Sequence, residues 1–115
     1  MAQRLPLLLS GLFVLAAAGV PPCATAAEPP SLRLAIVNHR FQPDTLTIPA
    51  NVKVKLVVEN RDATPEEFES NDFDREKVIL PNSSAVIFVG PLRPGQYRFF
   101  GEFNPATAQG VLRVE

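Results

Sequence analysis

Apolar and polar residues alternate along most of this chain beyond its first thirty positions. Leu32, Leu34 and Ile36 alternate with Arg33, Ala35 and Val37, the period of two that a half-buried strand requires. Leu46 and Ile48 begin a short strand closed by Pro49. Val52, Val54, Leu56 and Val58 alternate with Lys53, Lys55 and Val57, the clearest strand signal in the sequence. Short strands are predicted at 78–80 and 86–89, an aromatic one at 97–100, and a last one opening at Gly110 with Val111, Leu112 and Val114. On this pattern Leu34, Ile36, Leu56, Val58, Ile87, Phe99 and Leu112 face a core.

Turn residues fall between these runs: Phe41 with Pro43, Pro81-Asn82, Gly90-Pro91 and Pro94-Gly95. Proline cannot donate to a β-ladder and glycine weakens a strand interior, so their placement marks the strand ends. About seven short strands without a long helical period predict an all-β Greek-key sandwich. The acidic stretch 65–75 is the one place where a helical turn or two is expected.

The head of the chain has a different pattern. Arg4 precedes an almost wholly apolar run from Leu5 to Ala18, and Ala24-Thr25-Ala26 offers the small residues of a cleavage site. This is the layout of a secretory signal, and the run is too short for a spanning helix. Residues 1–26 are therefore expected to be a signal peptide and 27–115 the mature domain, placed in the periplasm. Pro22 before Cys23 argues against lipid attachment. Cleavage would remove the one cysteine, so the domain would rely on apolar burial and its ladders instead of disulfides. It would carry 10 basic and 12 acidic residues, a balance that suggests neither nucleic acid nor an anionic membrane surface as partner.

Two segments depart from the alternation and are the candidates for chemistry. One is 60–72, with Asp62, Glu66, Glu67, Glu69 and Asp72; the other is 99–110, with Glu102 and Asn104. In a sandwich both connections can sit at one end. Carboxylates from two loops suit a hard or borderline cation such as iron, manganese or calcium. The same run also reads as a solvated acidic loop, or as carboxylates paired with Arg75 or Lys77. His39, the single histidine, sits at a turn and reads as a surface or capping residue. No nucleophile has a histidine beside it and a small sandwich offers no deep cleft, so the chain is expected not to be an enzyme.

The run Phe41-x-Pro43-x-x-Leu46-x-Ile48-Pro49-Ala50, with Asn60-x-Asp62 after the next strand, resembles the first half of the cupredoxin fold. Pro91-Leu92-x-Pro94-Gly95-x-Tyr97-x-Phe99, with a loop ending at Gly110, resembles the second. Thr64-Pro65-Glu66-Glu67-Phe68-Glu69-Ser70, Glu76-Lys77-Val78 and Gly101-Glu102-Phe103-Asn104 are similar to the EfeO-type cupredoxin-like family of bacterial iron uptake systems.

The departures from a blue-copper pattern are as informative as the matches. Glu66 stands where the resemblance places a histidine, Gly101 where it places the cysteine, and Asn104 where it places the second histidine. The methionine would fall near Ala108 or Gln109. A blue-copper site needs a thiolate and two imidazoles, so no such centre is expected. The resemblance implies instead iron, or weakly held copper, on Glu66, Glu67, Glu69 and Glu102, with Asp72 and Asn104 as outer members. It leaves a metal-free state open. It also implies partners: the metal ion, an iron permease or a periplasmic iron-binding protein, with any membrane contact made through that partner. Members of the family are proposed to take part in ferrous iron oxidation, which here would need bound copper or a partner protein. The competing reading is a metal-free sandwich that docks a partner through its loops.

Overall fold

The computed structural model describes residues 2–4, 6, 10–20 and 28–115. Cys23 and the expected cleavage point after Ala26 lie outside the described residues. Leu12, Phe13, Val14, Leu15 and Val20 are exposed and belong to no strand.

The described residues form nine strands: β1 (Ser31–Val37), β2 (Arg40–Gln42), β3 (Thr45–Ile48), β4 (Val54–Asn60), β5 (Glu66–Ser70), β6 (Arg75–Ile79), β7 (Ser83–Val89), β8 (Gly95–Gly101) and β9 (Gln109–Val114). They make two mixed sheets, one ordered β2-β1-β4-β7 and the other β3-β9-β8-β5-β6. The pairs β1–β4 and β3–β9 are parallel; the other pairs are antiparallel. The all-β sandwich expectation holds, with nine strands in place of about seven. All seven residues assigned to the core by alternation are buried.

The two additional strands were hidden by their composition. β2 is three residues long and closes on β1 through Asn38 and His39, whose φ angles of 51° and 58° make the tight turn that suits hairpin twist. Asp62 fixes that turn, accepting hydrogen bonds from the Asn38 and His39 amides at 2.7 and 2.9 Å. His39 is thus a turn residue, as its position suggested.

The helical expectation for 65–75 is overturned. Those residues form the β5–β6 hairpin, with Asn71–Asp74 as its turn. Ser70 donates to the Arg98 carbonyl at 2.6 Å and Asp72 accepts from the Arg98 amide at 2.7 Å, so the hairpin turn is tied to β8. These bonds to a distant strand compete successfully with a local helix.

The inner faces meet in a core centred on three phenylalanines, one from each of β2, β5 and β8. Phe99 stacks on Phe68 at 5.1 Å between centroids and meets Phe41 edge-on at 5.0 Å. Gly110 faces Phe99 across the β8–β9 pair, and a β-carbon there would collide with the ring. The aromatic core thereby fixes β5 beside β8, and with it the position of the acidic residues.

Candidate metal centre

Strand β5 divides its carboxylates between two faces. Glu66, Phe68 and Ser70 point inward, and Glu67 and Glu69 point outward, as period two dictates. Inward burial of a carboxylate is costly unless both of its oxygens find donors. Glu66 is 1% exposed and has such donors. Its Oε1 accepts from the Glu67 amide at 3.0 Å and the Phe103 amide at 2.9 Å, and its Oε2 accepts from Asn104 Nδ2 at 2.7 Å. Asn104 also belongs to the turn behind it, where its carbonyl accepts from the Ala108 amide at 2.9 Å and the Gly101 amide donates to the Ala108 carbonyl at 2.9 Å. A β-carbon on Gly101 would lie 2.6 Å from Glu66 Cδ and 2.7 Å from Ala108 Cβ. Glu66, Gly101, Asn104 and Ala108 therefore converge at one apex between the sheets.

On the outer face the register assembles a different group. Glu69 lies opposite Glu76 on one side and Phe100 on the other, while Glu67 lies opposite Val78. Oxygens of Glu67, Glu69 and Glu76 all come within 4.8 Å of one another. Glu102 joins from the β8–β9 connection, where its amide donates to the Glu67 carbonyl at 2.9 Å. The two acidic segments do meet at one end of the sandwich. Of the four residues singled out from the sequence, Glu67, Glu69 and Glu102 share this face and Glu66 lies on the other. Asp72 and Asn104 are both engaged elsewhere, with the Arg98 amide and with Glu66.

Like charges opposite each other on a sheet are destabilising, and among the described residues no ion pair relieves them. Lys77 lies opposite inward-facing Phe68, and the Arg75 guanidinium donates to the Phe88 carbonyl at 2.8 Å. Among the described residues, the Arg61–Glu59 ion pair and the His39–Asp62 contact both lie away from this cluster. Glu67, 9% exposed, is pushed up from 4.5 to about 7. The causes are first a shared hydrogen bond with Glu76, then burial, then the charges of Glu76, Glu69 and Glu102. Glu69 is raised by burial first, then by the charge of Glu102 and a hydrogen bond with it, and by the charge of Glu76. Such a group holds either a shared proton or a cation.

Glu76 is the residue that sequence reading left out of the site. Its place across from Glu69 follows once 66–70 is read as a strand with a four-residue turn after it, and the Glu67-x-Glu69 alternation was the available signal. An open groove lined by Asp44, Thr45, Arg98, Phe100, Gln109 and Val111 lies on the same sheet face. It includes none of the clustered glutamates.

Known proteins match this arrangement at the level of fold and family. The sequence profile of the cupredoxin-like domain matches residues 7–114. A Rickettsia prowazekii (strain Madrid E) protein named "Uncharacterized protein RP394" is 42% identical over 83 residues, covering 72% of this chain and 66% of that protein. The match thus spans just under two thirds of that relative. Auracyanin A, a "blue" copper protein of Chloroflexus aurantiacus, superimposes with a TM-score of 0.66 at 13% identity, covering 76% of this chain and 100% of its own. The metal-binding domain of a Streptococcus pneumoniae Cu(I)-exporting P-type ATPase gives 0.63 at 13%, covering 74% and 84%. Amicyanin from Paracoccus versutus gives 0.59 at 15%, covering 80% and 86%. The profile match, which takes in every strand, places the chain in the cupredoxin-like domain family.

Proposed function

We propose that this chain is a metal-binding cupredoxin-like protein that holds its cation on the outer face of the five-stranded sheet, through Glu67, Glu69 and Glu76 with Glu102 alongside. The observation that carries this reading is the gathering of Glu67, Glu69 and Glu76 oxygens within 4.8 Å of one another, with Glu67 raised by its carboxylate neighbours. Oxygen ligands of this number suit iron or manganese, and cupric ion more weakly. The solved neighbours described as copper proteins agree with metal binding in general, while the donor set here favours a harder ion. The EfeO-type resemblance of the acidic run and the signal-like head extend the reading. They support the proposal of a periplasmic component of a bacterial iron uptake system, without catalysis of its own, that passes the ion to a permease or an iron-binding partner.

Thermal melts with ferrous or cupric ion test it. An ion at roughly a hundred times its dissociation constant stabilises the fold by about 2.7 kcal/mol. The melting temperature should rise with either ion, and Glu69→Gln should reduce that rise without destabilising the metal-free protein. Melting curves that no ion moves would favour the second reading, a metal-free docking module. Phe103 supports that alternative, since it is 49% exposed in the loop beside Glu102.

A further inference from the structure

The apex and the outer face behave differently toward cations, and the apex is the more unusual of the two. Glu66, Gly101 and Asn104, with Ala108 or Gln109, are the positions that the cupredoxin resemblance matches to copper ligands, and the structure brings Glu66, Gly101, Asn104 and Ala108 together. None supplies a thiolate or an imidazole, and the sequence's one cysteine is Cys23, outside the described residues. The space into which a side chain at position 101 would project is filled by the Glu66 carboxyl carbon, 2.6 Å from a β-carbon built there. The two oxygens of Glu66 already accept three N–H groups. A carboxylate so surrounded is a poor cation ligand, because binding would require breaking charge-assisted bonds inside a desolvated site.

We infer that Glu66 stands in the place of the metal: its carboxylate is the fixed hub that joins β5 to the 101–108 turn, and the apex is closed to metal ions. In a metal-organised apex, several chain segments converge on one cation. Here they converge on one anion, with amide hydrogens in the role of the ligands. The Phe103 amide and the Asn104 side chain come from one segment and the Glu67 amide from the other, so the hub crosses the same gap that a metal would. Position 101 is glycine because the Glu66 carboxyl group and the Ala108 β-carbon take the volume a side chain would need. The apex therefore has one structure whether or not an ion occupies the outer face. This inference does not depend on metal being bound there.

Nitrogen-15 NMR of the protein with zinc, a diamagnetic ion, tests it. The Phe103 amide, whose signal position follows any ion beside Glu102, should keep its hydrogen-exchange rate within about twofold between EDTA and excess zinc, and the Asn104 side-chain NH2 should keep its metal-free signals. Loss of the Phe103 protection on adding zinc, or movement of the Asn104 NH2 signals to a new bound set, would overturn the inference. Asn104→Asp supplies the second test, since it sets a second carboxylate against Glu66. A closed apex predicts a lower melting temperature and no gain in zinc affinity. A tenfold or greater gain would mean the apex is open to cations. If Asn104→Asp does not fold, Asn104→Ala removes only one donor: its melting temperature should fall and zinc should not restore it, whereas restoration by zinc would contradict the inference. If zinc binds nowhere, the outer-face reading rests on the ferrous and cupric experiments, while unchanged apex protection still supports the closed apex.

Discussion

Gly101→Ala adds one methyl group at the most crowded point of the fold. The new β-carbon would sit 2.6 Å from Glu66 Cδ and 2.7 Å from Ala108 Cβ, where carbon atoms rest at about 3.5–4.0 Å. Roughly 1 Å of overlap must be relieved on two sides at once. Moving Glu66 strains three hydrogen bonds to a buried carboxylate, each worth about 1.5–3 kcal/mol. Moving the backbone opens the short β5–β8 pairing, in which Phe68 lies opposite Gly101. Overpacking costs typically about 1–3 kcal/mol, and the loss of hydrogen bonding puts this case at the upper end, about 3 kcal/mol. For a domain of this size each kcal/mol lowers the melting temperature by about 4–8 °C, so a fall of roughly 12–24 °C is expected. Urea unfolding followed by far-ultraviolet circular dichroism measures the free-energy loss, and a thermal melt the fall in temperature. The reasoning also predicts coupling: in a Glu66→Ala background the same methyl should cost less, because one of its two obstacles is gone and only the Ala108 β-carbon remains. A change within about 0.5 kcal/mol in the wild-type background, as at an ordinary surface position, would refute the account of the apex.

Glu67 gives the metal-free protein a pH dependence of a particular sign. Its folded value of about 7 lies above 4.5, so the folded state binds more protons between those values and stability must fall as pH rises through that window. Urea midpoints measured from pH 4.5 to 7 should show this fall, and Glu67→Gln should flatten it; an unchanged slope in the variant would be evidence against the cluster. Asp62→Ala removes the acceptor of the Asn38 and His39 amides in a turn held at positive φ. It should cost about 1–3 kcal/mol in thermal unfolding, and a neutral outcome would show that the β1–β2 turn is fixed by other contacts.

How far the sequence could be read follows from which interactions are local. β1 and β4 declare themselves because Leu34, Ile36, Leu56 and Val58 alternate against the core without help from elsewhere in the chain. β5 has the same alternation written in acidic residues. Glu66 and Ser70 take inward positions that composition assigns to solvent. Their burial is made possible by partners far along the chain: Phe103 and Asn104 for Glu66, the Arg98 carbonyl for Ser70. A reading of neighbouring residues has no access to those partners, and it predicted a helical turn instead. The outer cluster has the same origin. Glu67 and Glu69 were legible as candidates from the run itself, and Glu102 from the position of its loop. Glu76 enters only through the hairpin register, and Glu66 leaves the group only because a strand turns alternate side chains to opposite faces.

The most direct test of the central claim is a calorimetric titration of the protein at pH 7 with ferrous ion under anaerobic conditions, and with cupric ion, repeated on the triple variant Glu67→Gln, Glu69→Gln, Glu76→Gln. The account predicts about one equivalent of ion bound by the wild type, loss of that heat in the triple variant, and retention of the fold by circular dichroism. A wild type that takes up neither ion, or a triple variant that binds as tightly as the wild type, would contradict it.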